Sequence, residues 1–222
     1  MKKLVLLISR LFFPPKCVLC RKVLKEHETD LCRQCRTDTP EFSKQTKKLP
    51  YLAEWTALWY YEGNVRRSIL RFKFYNARSY ANTYGKLLAM KLMAEEAEFD
   101  ILTWVPISRM RKWRRGYDQV ALIAQAVGRE LGVAPAATLK KRRNNPPQSG
   151  ISDAARRRAN VLGVYQVLDS NLISGKKILL LDDIMTTGAT AGECARMLLT
   201  AGTKEVYCAA VAVASHNKKP SR

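Results

Sequence analysis

The sequence is short of acid. Its 222 residues carry 19 Asp and Glu against 39 Lys and Arg, a formal net charge of +20 at pH 7. That excess lies far outside the usual range for a soluble enzyme of this size and points to a polyanionic partner: nucleic acid, an acidic membrane surface or phosphorylated ligands. The chain also lacks any apolar run long enough to span a bilayer. It has no internal repeat, and no glycine loop is followed by the Gly-Lys-Ser/Thr of a nucleotide P-loop. No acid–base pair announces a catalytic nucleophile. Apolar residues are not scarce. A hydrophobic share of 47% with 9% aromatics excludes a disordered chain, and the length suits one large domain or a domain with a small appendage.

The N-terminus imitates a secretion signal, with Lys2 and Lys3 ahead of Leu4–Ile8. No small-residue cleavage site follows, only Phe12-Phe13-Pro14-Pro15. Leu4, Leu7, Ile8, Leu11 and Phe12 recur at helical spacing, which predicts a docking helix and leaves contact with a membrane surface open. A cytoplasmic location is the expectation.

Further along, Trp55–Tyr61 reads as a strand, Val65, Ile69 and Phe72 line a helix, and a longer helix spans Ser79–Ala97. Ile101–Val105 is a short buried strand, and Val120–Leu131 an amphipathic helix ended by Gly132. Residues 140–160 are basic and aperiodic, with a weak strand at Val161–Val167. Lys177–Leu181 is a buried strand, Ala189–Ala201 a helix and Glu205–Ala214 a last strand. Strands alternating with helices predict an α/β fold with a parallel sheet.

Cys17-x-x-Cys20 and Cys32-x-x-Cys35 are separated by eleven residues. Two thiols three positions apart in a tight turn can face one ion, and two such turns supply the tetrahedral sulfur set that zinc prefers. A disulfide framework needs an oxidising compartment that nothing here supports, and a redox pair explains one motif but not both. Structural zinc is therefore expected, without catalysis. Cys194 and Cys208 read as inert core thiols.

The segment Leu179-Leu180-Leu181-Asp182-Asp183-Ile184-Met185-Thr186-Thr187-Gly188-Ala189-Thr190 delivers two carboxylates to the end of an apolar strand, followed by a small hydroxyl-rich loop and a helix start. Backbone N–H groups over Thr186–Thr190 suit a phosphate, and the acids suit the hydroxyls of the sugar bearing it. The stretch resembles the phosphoribosyl-pyrophosphate (PRPP) signature of type I phosphoribosyltransferases. The resemblance implies that Asp182 and Asp183 hold the ribose hydroxyls, while Thr186, Thr187, Gly188, Ala189 and Thr190 hold the 5′-phosphate.

Five of the seven residues 109–115 are basic, and the run Pro106-Ile107-Ser108-Arg109-Met110-Arg111-Lys112-Trp113-Arg114-Arg115-Gly116-Tyr117-Asp118-Gln119 could line a pyrophosphate pocket or a nucleic-acid track. With the entry Phe13-Pro14-Pro15-x-Cys17 and the block Pro146-Pro147-Gln148-Ser149-Gly150-Ile151, it is similar to the ComF/ComFC competence family, over about residues 12 to 213. Asn145, and Phe74-Tyr75-Asn76-Ala77 without the family's glycines, depart from that pattern.

The resemblance implies a type I phosphoribosyltransferase fold over 51–222 behind a zinc module at 1–50. Within it, 51–98 would be hood or interaction helices, 140–160 a mobile basic loop and 216–222 a loose tail. It implies a role in natural transformation and DNA uptake, with single-stranded DNA, a PRPP-type ligand with Mg²⁺, and the ComFA helicase as partners. Arg109, Arg111, Lys112, Arg114, Arg115 and the loop from Lys141 to Arg158 are the pyrophosphate or DNA candidates. Trp113, Tyr117, Phe72, Phe74 and Tyr75 stand among the charges where bases could stack. The alternative is an enzyme that moves a phosphoribosyl group from PRPP to an unidentified acceptor.

Overall fold

A computed structural model describes residues 14–43, 48–142 and 162–214. The expected N-terminal helix, all but the first residues of the 140–160 loop, the Pro146 block and the tail lie outside the described residues.

The described residues open on two cysteine turns, the second leading into helix α1 (Arg33–Asp38). Strand β1 (Glu54–Tyr60) follows, then helices α2 (Gly63–Phe74) and α3 (Tyr80–Ala94). Strand β2 (Ile101–Trp104) leads to a short helix α4 (Arg109–Arg115) and a longer α5 (Gln119–Leu131). After β3 (Leu139–Lys141), β4 (Tyr165–Val167) and α6 (Ser170–Ile173), the chain ends on β5 (Lys177–Met185), α7 (Ala189–Thr200) and β6 (Glu205–Val213).

The main sheet runs β1-β6-β5-β2, with every neighbouring pair parallel. Parallel strands are covered on both faces, so they read as unbroken apolar runs, and successive residues serve opposite cores. Along β5, Leu179 and Leu181 join one core with Phe72, Tyr84 and Ile123 from α2, α3 and α5. Ile178 and Leu180 join the other, with Cys194 and Leu198 of α7 and Tyr165 of β4. The alanines of β6 are fully buried, and so are Cys194 and Cys208, as expected of core thiols.

Three features were not part of the sequence-based expectation. Strand β5 does not stop at Leu181: pairing continues through Asp182 opposite Ala210 to Met185 opposite Val213, so the acid pair lies within the strand. The basic run 109–115 is a helix, capped at its start by the Ser108 hydroxyl, which accepts from Arg111 N–H, and ended by Gly116 at φ 75°. The stretch beginning near 140 opens with β3, which pairs antiparallel with β4 as a separate two-stranded sheet. Among the described residues, no helix is long and apolar enough to cross a membrane.

Candidate functional site

The helices after β2 cover one face of the sheet and α7, after β5, covers the other. A crevice therefore opens where these neighbouring parallel strands end, the switch point at which open α/β sheets bind ligands. The structure has a cleft of about 1090 Å³ there, lined by Val105 and Pro106 after β2 and by Asp182, Asp183, Thr186 and Thr190 on and after β5.

Strand alternation sends the two acids to opposite faces. Asp183 follows Leu179 and Leu181 toward α2, where its Oδ1 accepts from Lys73 Nζ at 2.8 Å. Asp182 follows Ile178 and Leu180 toward the other face, near Lys141, Tyr165 and Cys194. It accepts from the Asp183 backbone N–H at 2.8 Å. Their exposures are only 7% and 8%, so both carboxylates are largely withdrawn from water. Burial first, and then the neighbouring Asp183 charge, push Asp182 up to about 8. Burial likewise lowers Lys141 to about 8, with the Arg111 charge reinforcing it.

The hydroxyl loop turns at Gly188, whose φ of 75° makes it the cap of α7. The Thr187 hydroxyl accepts from Ala189 N–H at 3.4 Å. Thr186 and Thr190 line the cleft, whereas Thr187, Gly188 and Ala189 are not among its lining residues. A Cβ on Gly188 would lie 2.8 Å from Leu49 Cδ1, so Leu49 occupies the space that a side chain there would need.

Helix α4 divides the basic candidates. Arg111, Arg114 and Arg115, at i, i+3 and i+4, share a face and line the cleft. Arg109 and Lys112 are exposed and are not among its lining residues. Arg115 reaches over the Phe74 ring, 5.1 Å from its centroid, and donates to Gln119 Oε1 at 2.7 Å; burial lowers its pKa. Asp118 and Gln119 prove structural: Asp118 caps α5 through Val120 and Ala121 N–H, and Gln119 is buried. Tyr117 and Phe72 are also core residues, joined by a hydrogen bond from the Tyr117 hydroxyl to the Phe72 carbonyl. Sequence reasoning had not placed Lys73 against Asp183, and had not brought Tyr165 or Arg78 to the cleft. The Lys73-Phe74 pair, a cation beside an aromatic at the end of α2, was the one available signal.

At the other end of α2, the Sγ atoms of Cys17, Cys20, Cys32 and Cys35 all lie within 4.8 Å of one another. Cys32 caps α1, which brings Cys35 back toward the first turn. Asn64 Nδ2 donates to Cys35 Sγ at 3.8 Å, the kind of outer hydrogen bond that orients a metal thiolate. Four clustered sulfurs fit a structural zinc, which would close both turns around one ion and leave no open coordination position.

Residues 120–222 match the Phosphoribosyl transferase domain family, and residues 8–46 match the Double zinc ribbon domain. Sheet, switch-point cleft and sulfur cluster thus define a protein of the type I phosphoribosyltransferase fold with an N-terminal zinc ribbon. The similarity extends along most of the chain. Competence protein F of Haemophilus influenzae is 27% identical over 226 residues, covering 88% of this chain and 95% of that protein. DNA utilization protein YhgH of Salmonella typhimurium is 26% identical over 204 residues, covering 86% and 88%. Competence protein ComFC of Bacillus subtilis is 26% identical over 196 residues, covering 84% and 72%. The chain is a homologue of the competence proteins of the ComF/ComFC family.

Proposed function

We propose that this protein serves DNA uptake in natural transformation, binding single-stranded DNA and a PRPP-type ligand. The homology supports a ComF-type role. The observation that carries the ligand reading is the acid pair of β5 running directly into the Thr186–Thr190 turn at the switch point of the sheet. Asp182 and Asp183 would accept from the ribose hydroxyls, and the backbone N–H groups of Thr186, Thr187, Gly188, Ala189 and Thr190 would hold the 5′-phosphate. Arg111, Arg114, Arg115, Lys73 and Lys141 supply positive charge for the pyrophosphate.

The acid pair is poorly suited to hold a free cation. Lys73 already neutralises Asp183, and burial disfavours charge on Asp182. Mg²⁺ would arrive on the diphosphate of the ligand and neutralise its charge there. Calorimetric titration with PRPP, with and without Mg²⁺, tests the site. Saturable binding that ribose 5-phosphate competes for is expected, and no binding at millimolar ligand removes the reading.

For DNA, the +20 charge and the outward-facing Arg109 and Lys112 of α4 support a phosphate track beside the cleft. Binding would be sequence-tolerant, with a salt slope of roughly −0.7 per phosphate contacted. Reversing Lys112 to Glu should flatten that slope. The proposed setting is the cytoplasm, beside the ComFA helicase, with contact to a membrane surface through the N-terminus. The proposed division is a zinc module at 1–50 and a phosphoribosyltransferase-like domain at 51–222, in which 51–98 holds strand β1 and the proposed hood or interaction helices α2 and α3.

The second reading is enzymatic. Three cleft-facing arginines of α4 are the means by which charge on a departing pyrophosphate would be stabilised. Incubation with PRPP, Mg²⁺ and a panel of nucleobases distinguishes the readings: release of pyrophosphate with any base supports a transferase, and binding without release supports the binding role.

A further inference from the structure

Helix α4 buries none of its residues, yet it carries an indole in plain water: Trp113 is 84% exposed. An unburied aromatic of this size forgoes about 2–3 kcal/mol of hydrophobic stabilisation, so folding does not account for its position. Facing the same cleft from the end of α2 is Phe74, 61% exposed, with the Arg115 guanidinium over its ring. Trp113 and Phe74 line the cavity whose floor holds Asp182 and Asp183. Of the other aromatics set among basic residues, Phe72 and Tyr117 are consumed by the core, and Tyr75, although 76% exposed, does not line the cleft. Two flat apolar faces thus stand at the mouth of a cationic cleft, beside the exposed Arg109 and Lys112.

We propose that Trp113 and Phe74 form a nucleobase subsite. A base of single-stranded DNA stacks on these rings at the mouth of the cleft, while the strand's phosphates follow the outer face of α4 over Arg109 and Lys112. The inference rests on the DNA-binding part of the function proposed above and adds to it where and how bases are read. Chemistry selects the occupant. A flat ring can stack on any base, which gives affinity with little sequence preference, and the neighbouring cations match a polyphosphate backbone. An acidic peptide would satisfy the cations and leave the rings bare.

The test compares two strands of equal length and charge, oligo(dT) and its abasic counterpart, on the full zinc-loaded chain at fixed salt. The wild type should bind oligo(dT) about ten-fold more tightly, with quenching of tryptophan emission by oligo(dT) alone. Trp113→Ala and Phe74→Ala should each remove most of that preference and leave the abasic affinity unchanged. Trp113→Phe should keep much of it, and Tyr75→Ala all of it. Because these side chains lie outside the core, circular dichroism should show the variants folded. Equal wild-type affinity for the two strands overturns the subsite and leaves DNA binding standing. An equal loss from Tyr75→Ala overturns its location. Failure of both strands to bind at low salt overturns the DNA reading and the subsite with it.

Discussion

Lys73 Nζ donates to Asp183 Oδ1 at 2.8 Å, joining α2 to β5 across 110 residues of sequence, at a place where both side chains are largely shielded from water. A carboxylate so placed needs its counter-charge. Lys73→Met should destabilise the fold by about 1–3 kcal/mol, less than a fully buried pair because some solvent remains. Adding Asp183→Asn should recover part of that loss, since the stranded charge is then gone. Urea unfolding of the two single variants and the double variant measures the coupling. Strictly additive effects would mean that the pair contributes nothing.

Asp182 couples stability to pH in the opposite sense from an ordinary paired acid. It is held at about 8 by burial and by the Asp183 charge, whereas an unfolded aspartate ionises near 3.8. Between those values the folded chain binds the extra proton, so stability present below pH 4 is lost as pH rises toward 8. Asp182→Asn should therefore lose this slope and melt higher than the wild type at pH 8.5, each unit of relieved shift being worth about 1.4 kcal/mol. At the same pH 8.5, where the wild-type carboxylate is charged, the change should weaken PRPP binding by about 1–3 kcal/mol, because an acceptor for a ribose hydroxyl has lost its charge. Greater stability with poorer binding is the expected joint signature, and wild-type affinity in the variant removes the role assigned to Asp182.

What the sequence disclosed was chemistry carried by local spacing. The two Cys-x-x-Cys pairs, and the acid pair running into Thr186–Thr190, sit within a few residues of their partners, so geometry follows from the turn they share. Strand β1 was legible as an unbroken aromatic, β-prone run, and helices α2 and α5 because their apolar residues recur at helical spacing. The end of β5 was not, because two acids break the apolar pattern while bonding to β6 continues beneath them. Helix α4 was hidden for a related reason: it has no buried stripe and is held by Ser108 and Gly116 at its ends. The Lys73–Asp183 pair was invisible because nothing local joins residues so far apart, and only the packing of α2 on the sheet brings them together.

Gly188 stands at φ 75° with the Leu49 methyl 2.8 Å from the site of a Cβ, two reasons for glycine besides the phosphate role that the resemblance implies. Gly188→Val should destabilise the protein by about 2–4 kcal/mol, combining left-handed strain with displacement of Leu49. In a Gly188→Ala background, Leu49→Ala should open space without relieving the backbone, so only part of the loss should return. Full recovery would show that the conformation costs nothing and that packing alone selects glycine.

Zinc should reach the cleft through α2. The Ser68 hydroxyl donates to Val18 O at 2.5 Å and Arg71 to Leu19 O at 2.5 Å, so the middle of the helix grips the backbone between Cys17 and Cys20. Asn64 donates to Cys35 Sγ near its start, and Lys73 meets Asp183 near its end. Val18 and Leu19 pack into the core beside α2, but the turns that carry them bring four sulfurs together, so zinc should supply much of their folding energy. Cys17→Ser or Cys32→Ser should abolish stoichiometric zinc, and a chelator should do the same to the wild type. Loss of the turns removes the acceptors of Ser68 and Arg71 and loosens α2 as a unit. Hydrogen exchange over 63–74 should then rise while that of β5 and β6 stays protected, and PRPP affinity should fall about three- to ten-fold as Lys73 loses its position. Unchanged exchange in α2 after metal removal would show that the sheet alone holds the helix and that the two sites are independent.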